Sequence, residues 1–192
     1  MKRTLLLAAL LLACFLLGVV FGSRRLATQP VSAAAPAPEA AMASPSHGYD
    51  VHVVAPHVVD GKEHGPYHHY CKVYAPDPPQ IVCLIYESTE PNAMLSQIEW
   101  IYAKSMTRNG VPLKAWNKNW HDHAIEIAGG RVKVLDMPDD QAKGVADLVA
   151  TTDGLIYHFY WDDKLPNARM SIAQAVGHKP MAMAEWKNYE KK

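Results

Sequence analysis

Residues 67–87 read Tyr-His-His-Tyr-Cys-Lys-Val-Tyr-Ala-Pro-Asp-Pro-Pro-Gln-Ile-Val-Cys-Leu-Ile-Tyr-Glu. Tyr67 to Tyr74 and Ile81 to Glu87 are strand-like runs, and the Pro76-Asp77-Pro78-Pro79 segment between them forbids a continuing strand and favours a turn. The reading is a β-hairpin. Pairing Cys71 with Cys83 places His69 opposite Ile85, with His69 and Cys71 on one face. Facing cysteines form a disulfide in an oxidising compartment, and in a reducing one they are buried thiols or metal ligands.

Working outward, Tyr49 to Val54 reads as a first strand and Pro56 to Pro66 as a loop. Between Pro91 and Arg108 the apolar residues Met94, Leu95, Ile98, Ile101, Tyr102 and Met106 fall at helical spacing, and Gly110 and Pro112 stop that helix. His121 to Ala128 and Arg131 to Met137 alternate on either side of Gly129-Gly130, the signature of a two-residue hairpin turn. In that hairpin His123 faces Asp136 and Glu126 faces Lys133. Pro138 to Ala150 reads as a second helix, with Asp139 and Asp140 in its first turn. Leu155 to Trp161 is a further strand, the remainder is weakly patterned, and there is no internal repeat. The expectation is an α+β fold: an antiparallel sheet built from hairpins, with two main helices packed on one face.

The histidines point to a site. There are ten, clustered between His47 and His69 and at His121 and His123. On an alternating strand His121 and His123 project in parallel, beside Ile125 and Ile127 on the apolar face, so both imidazoles can ligate one metal. Asp136 could orient the second ring nitrogen of His123. His69 can join them from the first hairpin, and Glu99 from the margin of the long helix. The metal-ligand set is therefore His69, His121, His123 and Glu99, holding one divalent ion such as zinc, manganese or iron. The alternative is that these are core histidines hydrogen-bonded to backbone, with His158 one more of the same kind. Glu126 falls on the opposite face as an exposed cross-strand partner of Lys133. The chain has no Gly-x-Ser-x-Gly, phosphate loop, dinucleotide fingerprint, His-Glu-x-x-His or Cys-x-x-Cys.

The N-terminus differs in kind. Lys2 and Arg3 precede an uncharged apolar run from Leu5 to Gly22, so residues 1–27 read as a signal or membrane anchor. Its length lies between a signal core and a spanning helix. An uncleaved anchor, a cleaved signal ending near Val31-Ser32-Ala33, and a lipoprotein acceptor at Cys14 are the three readings. Residues 28–48 are rich in Ala, Pro and Ser, the composition of a disordered linker, and residues 49–192 form a single globular domain. Beyond Lys2, Arg3, Arg24 and Arg25, fifteen basic residues meet nineteen acids, a net of −4 with no footprint for nucleic acid.

Several short motifs occur together in one order: His68-His69-Tyr70-Cys71, Cys83 with Tyr86, Ala93-Met94-Leu95 leading to Ile98-Glu99-Trp100-Ile101, Trp120-His121-Asp122-His123 with Glu126, and Tyr157-His158-Phe159-Tyr160-Trp161. In this the chain resembles the plant oil-body-associated proteins and their bacterial and fungal relatives, over Tyr49 to Ala175. The resemblance implies polar motif positions at His69, Cys71, Glu99, His121, His123, Glu126 and His158. It implies association with lipid droplets for the plant members and no established reaction. This chain departs from the pattern after Leu165-Pro166, where Asn167-Ala168-Arg169-Met170 stand in place of Gly and Pro. It also has the apolar leader and lacks the plant C-terminal extension.

The expected function is a binding or structural module of the bacterial cell envelope, membrane-anchored or periplasmic, with a histidine-lined, metal-binding pocket. Its partners would be the membrane, through the N-terminal segment, and lipid. The competing readings are a metal-dependent enzyme with Glu99 as general base, and a lipid-associated structural protein without metal. Reaction, substrate and oligomeric state are left open.

Overall fold

The computed structural model describes residues 47–189, so the N-terminal segment and most of the linker lie outside the described residues. Among the described residues no helix is long and apolar enough to cross a membrane. The strands are β1 (Val51–Val59), β2 (Lys62–Pro76), β3 (Pro79–Tyr86), β4 (Leu95–Ala103), β5 (His121–Asp122), β6 (Lys133–Leu135), β7 (Thr152–Asp162) and β8 (Leu165–Ala175). The helices are α1 (Lys104–Gly110), α2 (Leu113–Asn119), α3 (His123–Ala128), α4 (Asp139–Val149) and α5 (Met183–Trp186).

All the pairings are antiparallel, and the order β2-β3-β4-β7-β8-β1 returns to β2 because β1 also pairs with β2. The sheet is thus an antiparallel barrel with no free edge along this path. The first half of β1 has β6 on its other edge and the second half has β8. Strand alternation sends one residue in two to the interior. One inward row runs from Val51 through Cys71, Cys83, Glu99 and Ile156 to Ala173. The apolar core fills this interior, with Tyr67, Ile81, Ile85, Ile101 and Ile156 buried together. A second apolar cluster of Trp116, Met181 and Trp186 joins α2 to the C-terminal segment.

The 67–87 hairpin is present with the expected register: Cys71 opposite Cys83, and His69 opposite Ile85. The two cysteines are joined in a disulfide. The helix at 139–149 and the strand through 155–161 also stand where expected.

Three expectations are corrected. Residues 95–103 are a strand, not a helix. Its inward positions carry Gln97, Glu99 and Ile101 while Ile98, Trp100 and Tyr102 face outward, so apolar residues on both faces mimic a helical stripe. Residues 56–66 are not a loop, because β1 runs on to Val59 and turns through Asp60-Gly61 into β2. Both turn residues have positive φ, as a tight hairpin turn requires. Residues 121–137 are not a hairpin. After two strand residues the chain enters α3, whose N-cap Asp122 accepts from the Ala124 N–H at 2.8 Å. Gly129-Gly130 end this helix, with Gly130 at φ 66°, in place of a strand turn.

Candidate metal centre in the barrel

Glu99 reaches the interior from β4, and His121 and His123 reach it from β5 and the first turn of α3. All three are buried, and their nearest ligand atoms lie within 4.8 Å of one another. Glu99 Oε1 is 3.0 Å from His123 Nε2 and 3.2 Å from His121 Nε2. Glu126, one turn along α3 from His123, is buried with an oxygen 3.8 Å from His123 Nε2. The helical turn therefore overturns two expectations: Glu126 is not an exposed partner of Lys133, and Asp136 does not face His123. Asp136 instead accepts from His52 Nδ1 at 2.6 Å on the outer surface.

The hydrogens can be placed from the acceptors. Thr152 Oγ1 donates to the Val149 carbonyl at 2.6 Å, so it accepts from His123 Nδ1–H at 2.8 Å. Nε2 of His123 is then the atom that meets Glu99, either with a proton of its own or with a lone pair. His121 offers Nε2 to the same carboxylate, and its Nδ1 is buried without a partner.

The electrostatics follow from this packing. Burial pushes the Glu99 carboxyl up, but hydrogen bonds from His121 and His123 outweigh it and hold the group well below the usual carboxylate range. Burial pulls His123 down, yet the hydrogen bond and charge of Glu99, with Glu126 behind it, raise it to about 9. Burial raises the Glu126 carboxyl, so it is the more easily protonated acid of the pair.

A ring of charge behind the site holds β5 and α3 in place. Asp153 of β7 is fully buried and accepts from Arg108 Nε at 3.0 Å, Arg108 Nη2 at 2.7 Å, Thr107 Oγ1 at 2.5 Å and Trp116 Nε1 at 2.9 Å. Arg108 also reaches Asp122 at 2.6 Å, and Lys104 meets the other oxygen of Asp122 at 2.6 Å. Asp122 is thus fixed between the two histidines, and both are aimed by it. Gly154 completes the cradle. A Cβ built there would collide with Glu99 Oε1 and lie 2.5 Å from His121 Nε2.

His69 lies outside this trio. It lines one cavity of about 70 Å³ with Glu99, His123 and Glu126, and its Nε2 is 3.0 Å from Nε2 of His57. Burial lowers both of these imidazoles, His57 to about 3, where the charge of His69 adds to the effect. His158 lies half-buried toward the other end of the barrel, beside Tyr160. Sequence reading passed over His57, Thr152, Gly154, Arg108 and Asp153. Only the Asp-Gly at 60–61 signalled any of them, since the hairpin it marks carries His57 inward.

Residues 43–191 match the family described as "Protein of unknown function (DUF1264)", and the chain belongs to that family. It is 30% identical over 114 residues to oil body-associated protein 1B of Arabidopsis thaliana. That alignment covers 56% of this chain and 46% of the plant protein, so it spans about half of that relative's length. No solved structure matches the chain.

Proposed function

We propose that this member of the DUF1264 family is a binding module whose barrel holds one divalent metal ion on Glu99, His121 and His123. The observation that carries the reading is the convergence of one carboxylate and two imidazole nitrogens in a buried site. A carboxylate with two histidines suits zinc, iron(II) or manganese. Thr152 fixes the hydrogen of His123 on the far nitrogen, as ligand-orienting partners do, so Nε2 is the atom turned to Glu99 beside His121 Nε2. A single carboxylate proton would satisfy far less of this donor set than a cation does.

Elemental analysis and calorimetric titration of the purified protein test this. Metal should be retained, or zinc, manganese or iron should raise the unfolding temperature, and Glu99→Gln and His123→Ala should each lose the ion held by the trio and the stabilisation that comes with it. A wild-type protein that retains no metal and gains no stability from any of the three would reduce the cluster to a hydrogen-bond network.

A lipid-associated role is a second reading, supported by the name of the plant relative. It is also supported by the β7–β8 hairpin, which exposes Leu165 (72%) and Met170 (62%) beyond half-buried Phe159 and Trp161. Flotation with neutral-lipid emulsions, comparing wild type with Leu165→Ser/Met170→Ser, tests it. The leader composition supports placement in a bacterial envelope, with the N-terminal segment as the membrane partner. Fractionation of cells carrying the full chain decides that point.

A further inference from the structure

His57 and His69 pose a bonding problem that the Glu99 trio does not solve. His69 Nδ1 lies 3.1 Å from the Tyr67 carbonyl, which can only accept, so the hydrogen of neutral His69 sits on Nδ1. His57 Nδ1 lies 2.7 Å from Gln97 Oε1, which likewise only accepts, so the hydrogen of His57 also sits on Nδ1. Each Nε2 is then a bare lone pair, and the two lie 3.0 Å apart. Both rings are fully buried in the barrel wall. Two acceptors facing each other in a buried site repel, and the only hydrogen-bond contact of either Nε2 among the described residues is with the other.

From this we propose a second cation site, in which Nε2 of His57 and Nε2 of His69 ligate one divalent metal ion. Two nitrogens at this separation, each 2.0–2.1 Å from a metal, subtend roughly 95° at it, an angle that five- or six-coordinate ions accept more readily than tetrahedral ones. The hydrogen-bonded Nδ1 atoms supply the outer partners that metal-bound histidines ordinarily have, Gln97 for one and the Tyr67 carbonyl for the other. Water or a small ligand has room to fill the remaining positions, because both histidines line the same 70 Å³ cavity as Glu99, His123 and Glu126. Nitrogen-only protein ligation favours zinc, nickel or copper over manganese or calcium. The site does not depend on the trio: either can bind while the other does not.

The test is zinc titration of metal-stripped full-length protein. With both sites working, about two zinc ions bind per chain, and His57→Leu or His69→Leu lowers this to about one. Glu99→Gln removes the other ion and leaves the His57–His69 ion bound. Gln97→Glu, which can only accept from His57, should bind zinc at least as tightly as wild type. Binding that is indifferent to His57 and His69 overturns the proposal. So does a single ion lost equally in the His57, His69 and Glu99 variants, which would mean one shared site. If the trio binds nothing but the pair still binds one ion, the reading under Proposed function fails and this one stands. Nitrogen-15 imidazole spectra of the stripped wild type give a readout that does not depend on any variant folding. Both Nε2 atoms should be unprotonated and should shift on adding zinc. A hydrogen on His57 Nε2 would mean that Gln97 presents its amide nitrogen to His57, and that the pair is an ordinary hydrogen bond.

Discussion

Replacing Gly154 by alanine tests the packing of the centre, because the sign of the effect is diagnostic. Gly154 has no left-handed φ, and at such a position Gly→Ala ordinarily stabilises by about 0.4–1 kcal/mol through the unfolded chain. Here the added methyl would collide with Glu99 Oε1 and lie 2.5 Å and 2.7 Å from His121 Nε2 and Cε1. Neither neighbour is a free-swinging end, since Glu99 is bonded to both histidines and His121 is held through Asp122. Overpacking of this kind costs about 1–3 kcal/mol. Displacing the carboxylate from His123 forfeits a charge-assisted hydrogen bond of about 1.5–3 kcal/mol. The expected loss is therefore about 2–5 kcal/mol, read as a lowered urea midpoint with unchanged slope. Metal affinity should fall with it. Gly144→Ala is the control, since it lies in α4 with nothing within 4 Å of a built Cβ and should stabilise by about 0.5–1 kcal/mol. A Gly154→Ala protein as stable as wild type would refute the close packing of Glu99 and His121 on β7.

In metal-free protein, stability should fall on both sides of neutrality. His123 is raised to about 9, so its contribution is complete below about 6.5 and lost as pH rises through about 9. His57 is lowered to about 3, so between about 6.5 and 3 the unfolded chain binds a proton that the folded one refuses, and stability drops by up to about 1.4 kcal/mol per pH unit. Glu99, held low, adds to the acid limb, because its contribution is lost as the carboxylate protonates. Urea midpoints from pH 4 to 10 should lose the alkaline fall in His123→Gln and have a shallower acid fall in His57→Gln; an unchanged alkaline limb in the first variant contradicts the ion pair. For the cysteines, thiol titration of unreduced, denatured protein should find neither Cys71 nor Cys83 free. Reducing this bridge across a sequence separation of 12 should lower stability by about 3 kcal/mol. Finding both thiols free in protein isolated without reductant would reject it.

How much of the site was legible depended on how many backbone conformations each stretch of sequence allows. The proline cluster at 76–79 admits only a turn, so the hairpin was legible; its register came from setting Cys71 opposite Cys83, and the structure pairs them so. The stretch at 121–130 admits two. His-Asp-His-Ala-Ile-Glu-Ile-Ala-Gly-Gly fits a strand ending in a turn, and equally a helix with an Asp cap and a glycine stop. Only the second puts His123 and Glu126 on one face and leaves Ile125 at the surface. The Asp60-Gly61 turn was visible as a dipeptide but hidden by Pro56 and Pro66 on either side of it. On β4 the polarity is inverted, with glutamine and glutamate inside and aromatics outside, because Gln97 and Glu99 find buried histidine partners there that satisfy them.

Local chemistry alone determined which residue types could form a centre: His69, His121, His123 and Glu99 were readable as donors, and the first hairpin with its cysteines on one face and the helix at 139–149 were readable as elements. Tertiary structure decided which donors meet. The β1–β2 hairpin, curved into the barrel, brings His57 to His69; pairing β4 with β7 brings Gly154 under Glu99. These partners lie 12 and 55 positions apart in the chain. Alternation says only which face of its own strand a residue takes. Which strand lies alongside is set by burying the whole interior at once, a free energy that no short segment carries.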